Sequence, residues 1–169
     1  MKSIFSILFL FAFVAMNAQE DKTKRPSPPD SAYGSTKNGT KISINYSQPS
    51  VKGRTIGKDL EPLPGQVWRT GANEATVFEV SRDVKIEGKK LAAGKYSLFS
   101  ILENGEWTVI FNKTWDEWGT KYKAADDVLR VKVKDEKAKT FTEKMKFSIS
   151  NKGEVELLWG DHELEFDVE

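Results

Sequence analysis

The feature that most constrains the fold is a period-two alternation of apolar and polar residues, cut at short intervals by turn-forming pairs. Lys41 to Ser47 puts Ile42, Ile44 and Tyr46 on one face. Ala75 to Val80 alternates around Phe78 and Val80. Val84 to Ile86, a turn at Glu87-Gly88, and Lys90 to Ala92 read as a short hairpin. Lys95 to Leu102 is apolar on both faces, with Tyr96, Leu98 and Leu102 on one side and Phe99 and Ile101 on the other. That pattern predicts a central strand. Asn38-Gly39 and Asn104-Gly105 are two-residue hairpin signals. Trp107, Val109 and Phe111 alternate next, and Val128 to Val133 is a further strand.

The last third repeats the grammar. Phe141 to Ser150 places Met145, Phe147 and Ile149 together, and Asn151-Lys152-Gly153 turns the chain. Val155, Leu157 and Trp159 follow, Gly160-Asp161 reads as another turn, and Leu164, Phe166 and Val168 close the pattern. Ser31 to Ser35 is a candidate first strand. Lys134 to Lys146 has too few apolar residues for a buried helical stripe and reads as a charged loop entering a strand. The expectation is an all-β domain, an antiparallel β-sandwich of jelly-roll-like type with about nine or ten short strands.

The domain is preceded by two other segments. Residues 1–18 combine a basic start at Lys2, an apolar run from Ile4 to Met16 and a small residue at Ala18. This is the build of a secretory signal peptide, with cleavage expected after Ala18 and no stable membrane anchor afterwards. Residues 19–30, QEDKTKRPSPPD, are polar and Pro-rich and read as a tether or extended lead-in. Residues 31–169 form the single domain. The triplet Asp30-Ser31-Ala32 has the shape of an O-glycosylation acceptor, although three residues match such a pattern often by chance and a plain linker is the favoured reading.

The chain has no Cys, which excludes disulfides, thiolate metal sites and a lipoprotein-type anchor. It has 26 Lys and Arg against 25 Asp and Glu, and loss of the leader removes only Lys2. A balanced chain without a basic run offers no general attraction to nucleic acid.

Two stretches interrupt the alternation, Gln48 to Ala75 and Asn112 to Asp127. Long ordered connections of this kind often carry function. In the first, Gly53, Gly57, Gly65 and Gly71 punctuate a segment stiffened by Pro49, Pro62 and Pro64. It presents Lys52, Arg54, Trp68, Arg69, Asn73 and Glu74. Two guanidinium forks converging in a pocket would grip a carboxylate, phosphate or sulfate. The competing reading is that Arg54 and Arg69 pair with Glu74, Asp59 or backbone carbonyls and cement the loop. Trp68 is read as a core plug, and Asn73 as a left-handed or Asx turn residue.

Glu74 is the candidate acid or base for a carbohydrate-active enzyme, which would need a second facing carboxylate from Asp116, Glu117, Asp126 or Asp127. Trp115 and Trp118 on the second stretch are candidate sugar-stacking rings, with burial over the end of the sandwich as the alternative. The only His is His162, expected to be exposed beside a turn. No nucleophile elbow, Gly-rich nucleotide loop or calcium loop occurs, so no cofactor or metal is assigned.

The stretches RPSPPDS, YSQPSVKGRTIG, VWRTGANEATVFEVSRDVKIEGKKLAAGKYSLF, WTVIFNK and DVLRVKV, in this order from about Arg25 onward, resemble the secreted proteins of domain-of-unknown-function family 2911. The matching positions include Pro49, Lys52-Gly53-Arg54 and the run from Trp68 to Thr76. The resemblance implies an exported envelope protein of a Gram-negative bacterium, periplasmic or extracellular, and it implies no activity. The functional expectation is a non-catalytic binding module for a saccharide or small anion, sited where the two long stretches meet. An enzyme using Glu74 and a structural envelope protein that binds another protein are the alternatives.

Overall fold

The computed structural model describes residues 21–169; the expected leader lies outside the described residues. Ten strands run antiparallel: β1 Pro29–Ser35, β2 Lys41–Ser47, β3 Thr76–Val80, β4 Val84–Ile86, β5 Lys89–Leu91, β6 Gly94–Glu103, β7 Glu106–Asn112, β8 Asp127–Lys134, β9 Glu136–Ile149 and β10 Glu154–Asp167. Two short 3-10 turns, Lys22–Lys24 and Ala124–Asp126, are the only helical pieces among the described residues. No helix there is long and apolar enough to cross a membrane.

The large sheet has six strands in the order β1-β2-β3-β6-β7-β8. Its inner face is the apolar set read from the alternation. Ala32 opposes Ile44, Ile44 opposes Phe78, Phe78 opposes Tyr96, Leu98 opposes Phe111, and Val109 opposes Val131. β6 lies between β3 and β7, which explains why it is apolar on both faces. The tight turn at Asn104-Gly105 has positive φ at both residues, the geometry that matches strand twist in a two-residue hairpin.

β9 and β10 form the second layer, and their inward side chains Met145, Phe147, Val155, Leu157, Trp159, Leu164 and Phe166 close the same core. This layer is wider than one hairpin. Lys85 and Glu169 exchange two backbone hydrogen bonds of 2.8 Å, which adds β4 and β5 beside the end of β10. On the other side Val51 N–H donates to Glu143 O and Met145 N–H to Pro49 O, so residues 49–51 run along β9. The architecture is the antiparallel sandwich expected. Within the large sheet neighbours follow chain order apart from the inserted β4–β5 hairpin, so the jelly-roll likeness lies in the two-layer packing rather than in strand order.

Three local expectations are corrected. Lys134 to Lys146 is mostly strand rather than loop, because β9 starts at Glu136. Its register against β10 slips on both sides of Gly160, and these bulges erase the period-two signal. Gly160-Asp161 is not a turn, since β10 runs straight through it. Gly160 is needed there for close approach: a Cβ would lie 2.4 Å from Ile56 Cδ1, and φ is +60°. Finally, from Asp21 onward the Pro-rich segment is a docked lead-in to β1 rather than a tether. Pro29 and Asp30 are part of β1, and the residues before them dock on the first long loop as described below.

Candidate functional site

The stretch from Gln66 to Thr76 is an excursion out of a strand position. Trp68 exchanges two backbone hydrogen bonds of 2.8 Å with Ser100 of β6. Thr76 opens β3 opposite Leu98 of the same strand. Residues 69–75 therefore leave the sheet and return to it across a single β6 residue, Phe99.

The excursion is fastened internally. Thr70 and Asn73 hold positive φ angles of 49° and 57°, the expensive conformation expected for Asn73. The Trp68 indole donates to Gly71 O at 3.2 Å, the Thr76 hydroxyl donates to Thr70 O at 2.8 Å, and Arg69 Nη1 donates to Asn73 O at 2.9 Å. Trp68 is buried, as a core plug would be. Neighbours fasten it externally. Ala72 N–H donates to Ser47 O, Ala75 N–H to Glu117 O, and Gly119 N–H to Asn73 O. The Asn73 side-chain amide donates to Ser27 O at 2.9 Å, reaching the Pro-rich segment.

Glu74 faces the same segment. Its carboxylate lies 2.8 Å from Lys22 Nζ and accepts from Arg25 Nη1 at 2.9 and 3.0 Å. The Lys22 ammonium, with the Arg25 guanidinium beside it, holds Glu74 down to about 2. A carboxyl so far below neutrality is a poor proton donor and a weak base. Three of the four acids expected to face it, Glu117, Asp126 and Asp127, have other partners. Glu117 pairs with Lys121, Asp126 with Thr114 and Lys113, and Asp127 with Tyr122, Arg130 and Asn112.

Arg54 and Arg69 both donate to main-chain carbonyls, as the loop-fastening alternative expected. Both line a cleft of about 370 Å³, with Lys58, Asp59 and Glu61 as its other charged residues and Trp68 and Trp159 among its aromatic ones. Arg54 donates from Nε to Val51 O at 3.0 Å and from Nη2 to Ser50 O at 2.6 Å. Asp59 is turned to the Thr55 amide at 2.6 Å, and Glu61 to the Leu63 amide at 2.8 Å. Neither Arg54, Lys58 nor Arg69 has a carboxylate partner within salt-bridge distance among the described residues.

The other candidates lie outside this cleft's lining. Lys52 is exposed, and its backbone amide is bound to Glu143 Oε1. Asn73 and Glu74 face the Pro-rich segment. Trp115 and Trp118 are 38% and 45% exposed, and Lys95 Nζ sits 4.8 Å over the Trp115 ring. Tyr122 from the same stretch folds back edge-on against Phe99, with ring centres 4.8 Å apart.

Sequence reasoning missed two things. Lys22 and Arg25, in the segment expected to be a tether or extended lead-in, clamp Glu74. His162 is half-buried rather than exposed, with Nδ1 2.9 Å from Asp135 Oδ2. No spacing signal joins either pair, because each contact is made only by the tertiary path.

Fold and cleft together define an all-β sandwich with a recess lined by three cationic and two acidic side chains. The chain belongs to the family described as a protein of unknown function, DUF2911, whose model matches residues 27–168. No curated protein and no solved structure matches it.

Proposed function

We propose that this protein is an exported, non-catalytic binding module for a small anion-bearing ligand, held in the cleft between Arg54 and Arg69. The observation that carries this reading is that Arg54, Lys58 and Arg69 line one recess without pairing to its two carboxylates, Asp59 and Glu61, which accept from backbone amides instead. Each guanidinium has five N–H donors; two of Arg54's and one of Arg69's are used on main-chain carbonyls. The remaining donors are held on a pre-ordered frame, which reduces the entropy lost on binding. The recess is of small-molecule size, and Pro49, Leu60, Leu63 and the two indoles supply its apolar wall.

The test is calorimetry with a panel of sugar acids, sugar phosphates and neutral sugars. An anionic member is expected to bind, and Arg54→Gln with Arg69→Gln to weaken it by about 10-fold or more, the worth of a charge-assisted hydrogen bond. Binding that is equal in wild type and the double variant would place the ligand elsewhere. Neutral sugars bound only through Trp118, and lost in Trp118→Ala, would move the site to the exposed aromatic rings.

A further inference from the structure

Beside the cleft lies a second hollow of about 210 Å³, lined by Arg54, Thr55, Ile56, Phe141, Asp161 and His162. Arg54 is common to both. The imidazole of His162 is fixed from below. Its Nδ1 lies 2.9 and 3.1 Å from the two oxygens of Asp135. Asp135 Oδ1 also accepts the Trp107 indole N–H at 2.8 Å, and Trp107 is fully buried. The Trp107 ring meets the imidazole edge-on, with centres 6.1 Å apart. The order of control is thus core indole, carboxylate, imidazole.

An ionised carboxylate only accepts hydrogen bonds, so Nδ1 carries the proton in the neutral ring and Nε2 offers a lone pair. Nε2 has no hydrogen-bond partner among the described residues, and none of their buried side-chain nitrogens is left unpartnered, so Nε2 meets solvent. The hollow therefore combines an oriented acceptor, a cation at Arg54, and apolar surface from Ile56 and from Phe141, which is 52% exposed.

We propose that this hollow is the second half of the ligand site, and that the ligand is a polyhydroxylated monocarboxylic acid of sugar-acid type. Its carboxylate sits on Arg54, a hydroxyl donates to His162 Nε2, and the C–H face of its ring lies against Phe141 and Ile56. Asp161 accepts further hydroxyls and disfavours a second negative charge. This assignment rests on the anion reading of the main cleft and adds to it the hydroxyl-reading residue.

Two probes separate the two readings: D-glucuronate, and cyclohexanecarboxylate, which has the acid and the ring but no hydroxyls. Calorimetry on the untagged protein is expected to show glucuronate bound about 10-fold more tightly. His162→Gln should abolish that preference and leave cyclohexanecarboxylate affinity unchanged, as one lost hydrogen bond to a ligand would do. His162 is the only His, so its ring nitrogens can be followed by 15N NMR in wild type without assignment. Those spectra should show the Nδ1–H tautomer, and glucuronate but not cyclohexanecarboxylate should shift Nε2. This readout does not depend on the variant folding. An Nε2–H tautomer, or glucuronate binding that is unaffected by His162→Gln while both acids bind, overturns the hydroxyl assignment and leaves the anion site standing. Failure of wild type to bind either acid overturns both.

Discussion

At the scale of single residues, Glu74 shows how partner choice sets role. A Glu beside Arg and Asn on a Gly-punctuated loop has the composition of an acid–base site. Lys22 and Arg25 convert it into a clamp for the segment that precedes β1. Its folded-state value of about 2 lies below the ordinary 4.5. Its contribution is therefore complete above about pH 4.5 and is lost as the pH falls toward 2. The side chain is 37% exposed, so solvent screening reduces the effect well below what the shift alone would give. Glu74→Gln is expected to cost about 1 kcal/mol near neutral pH. Urea titrations of wild type and variant should differ there and converge as the pH falls to about 2. A gap that persists in acid would show that the ion pairs contribute nothing.

Trp68 and Asn73 were legible because their demands are local: a large indole seeks burial, and Asn tolerates the left-handed region. The partners of Glu74 and His162 were not, because a charged side chain finds a distant neighbour through the tertiary path, whereas Arg54 is tied to the nearby carbonyls of Ser50 and Val51 as the loop-fastening alternative expected. Arg25 and Glu74 are 49 positions apart, and Asp135 and His162 are 27 apart.

At the scale of elements, the clean strands were legible from alternation, and the bulged ones were not. β9 carries a run of charged residues facing out and register slips opposite Gly160, so its first half has no period to read. The excursion at residues 69–75 was visible as a break in pattern. Its nature, a detour from a strand position beside β6, depended on the pairing of Trp68 with Ser100.

The seam between the layers gives the test at this scale. β1 meets the end of β9 where Ser35 N–H approaches Ser150 O at 3.4 Å. A Cβ on Gly34 would lie 2.4 Å from Ile149 Cγ2 and 2.8 Å from Ile149 O. The carbonyl cannot rotate away as a side chain can, so β1 must shift from β9. Gly34→Ala is expected to destabilise by about 1–3 kcal/mol, the usual cost of overpacking. A chemical-denaturation midpoint equal to wild type would mean that the seam is loose.

At the scale of the whole molecule, the three buried indoles share a task. Each fills the core with its ring and uses its N–H to fasten a connecting segment. Trp68 holds Gly71 in the excursion, Trp107 holds Asp135 between β8 and β9, and Trp159 of β10 holds Glu61 in the first long loop at 2.8 Å. A buried indole N–H left unpaired would cost about 1–3 kcal/mol, so loop and core stabilise one another. The first long loop and the β8–β9 connection are then part of the cooperative unit and cannot melt ahead of the sheets. The core itself is shared by both layers, with residues of β2, β3, β6 and β7 packed on those of β9 and β10. Trp fluorescence, which reports the loop anchors, and far-UV circular dichroism, which reports the strands, are expected to give one coincident denaturation curve. Trp115 and Trp118 are exposed and add little change of environment. A fluorescence transition that precedes the loss of strand signal would show that the loops are held independently. The recess between Arg54 and Arg69 would then be a mobile surface rather than the pre-ordered frame on which its binding role depends.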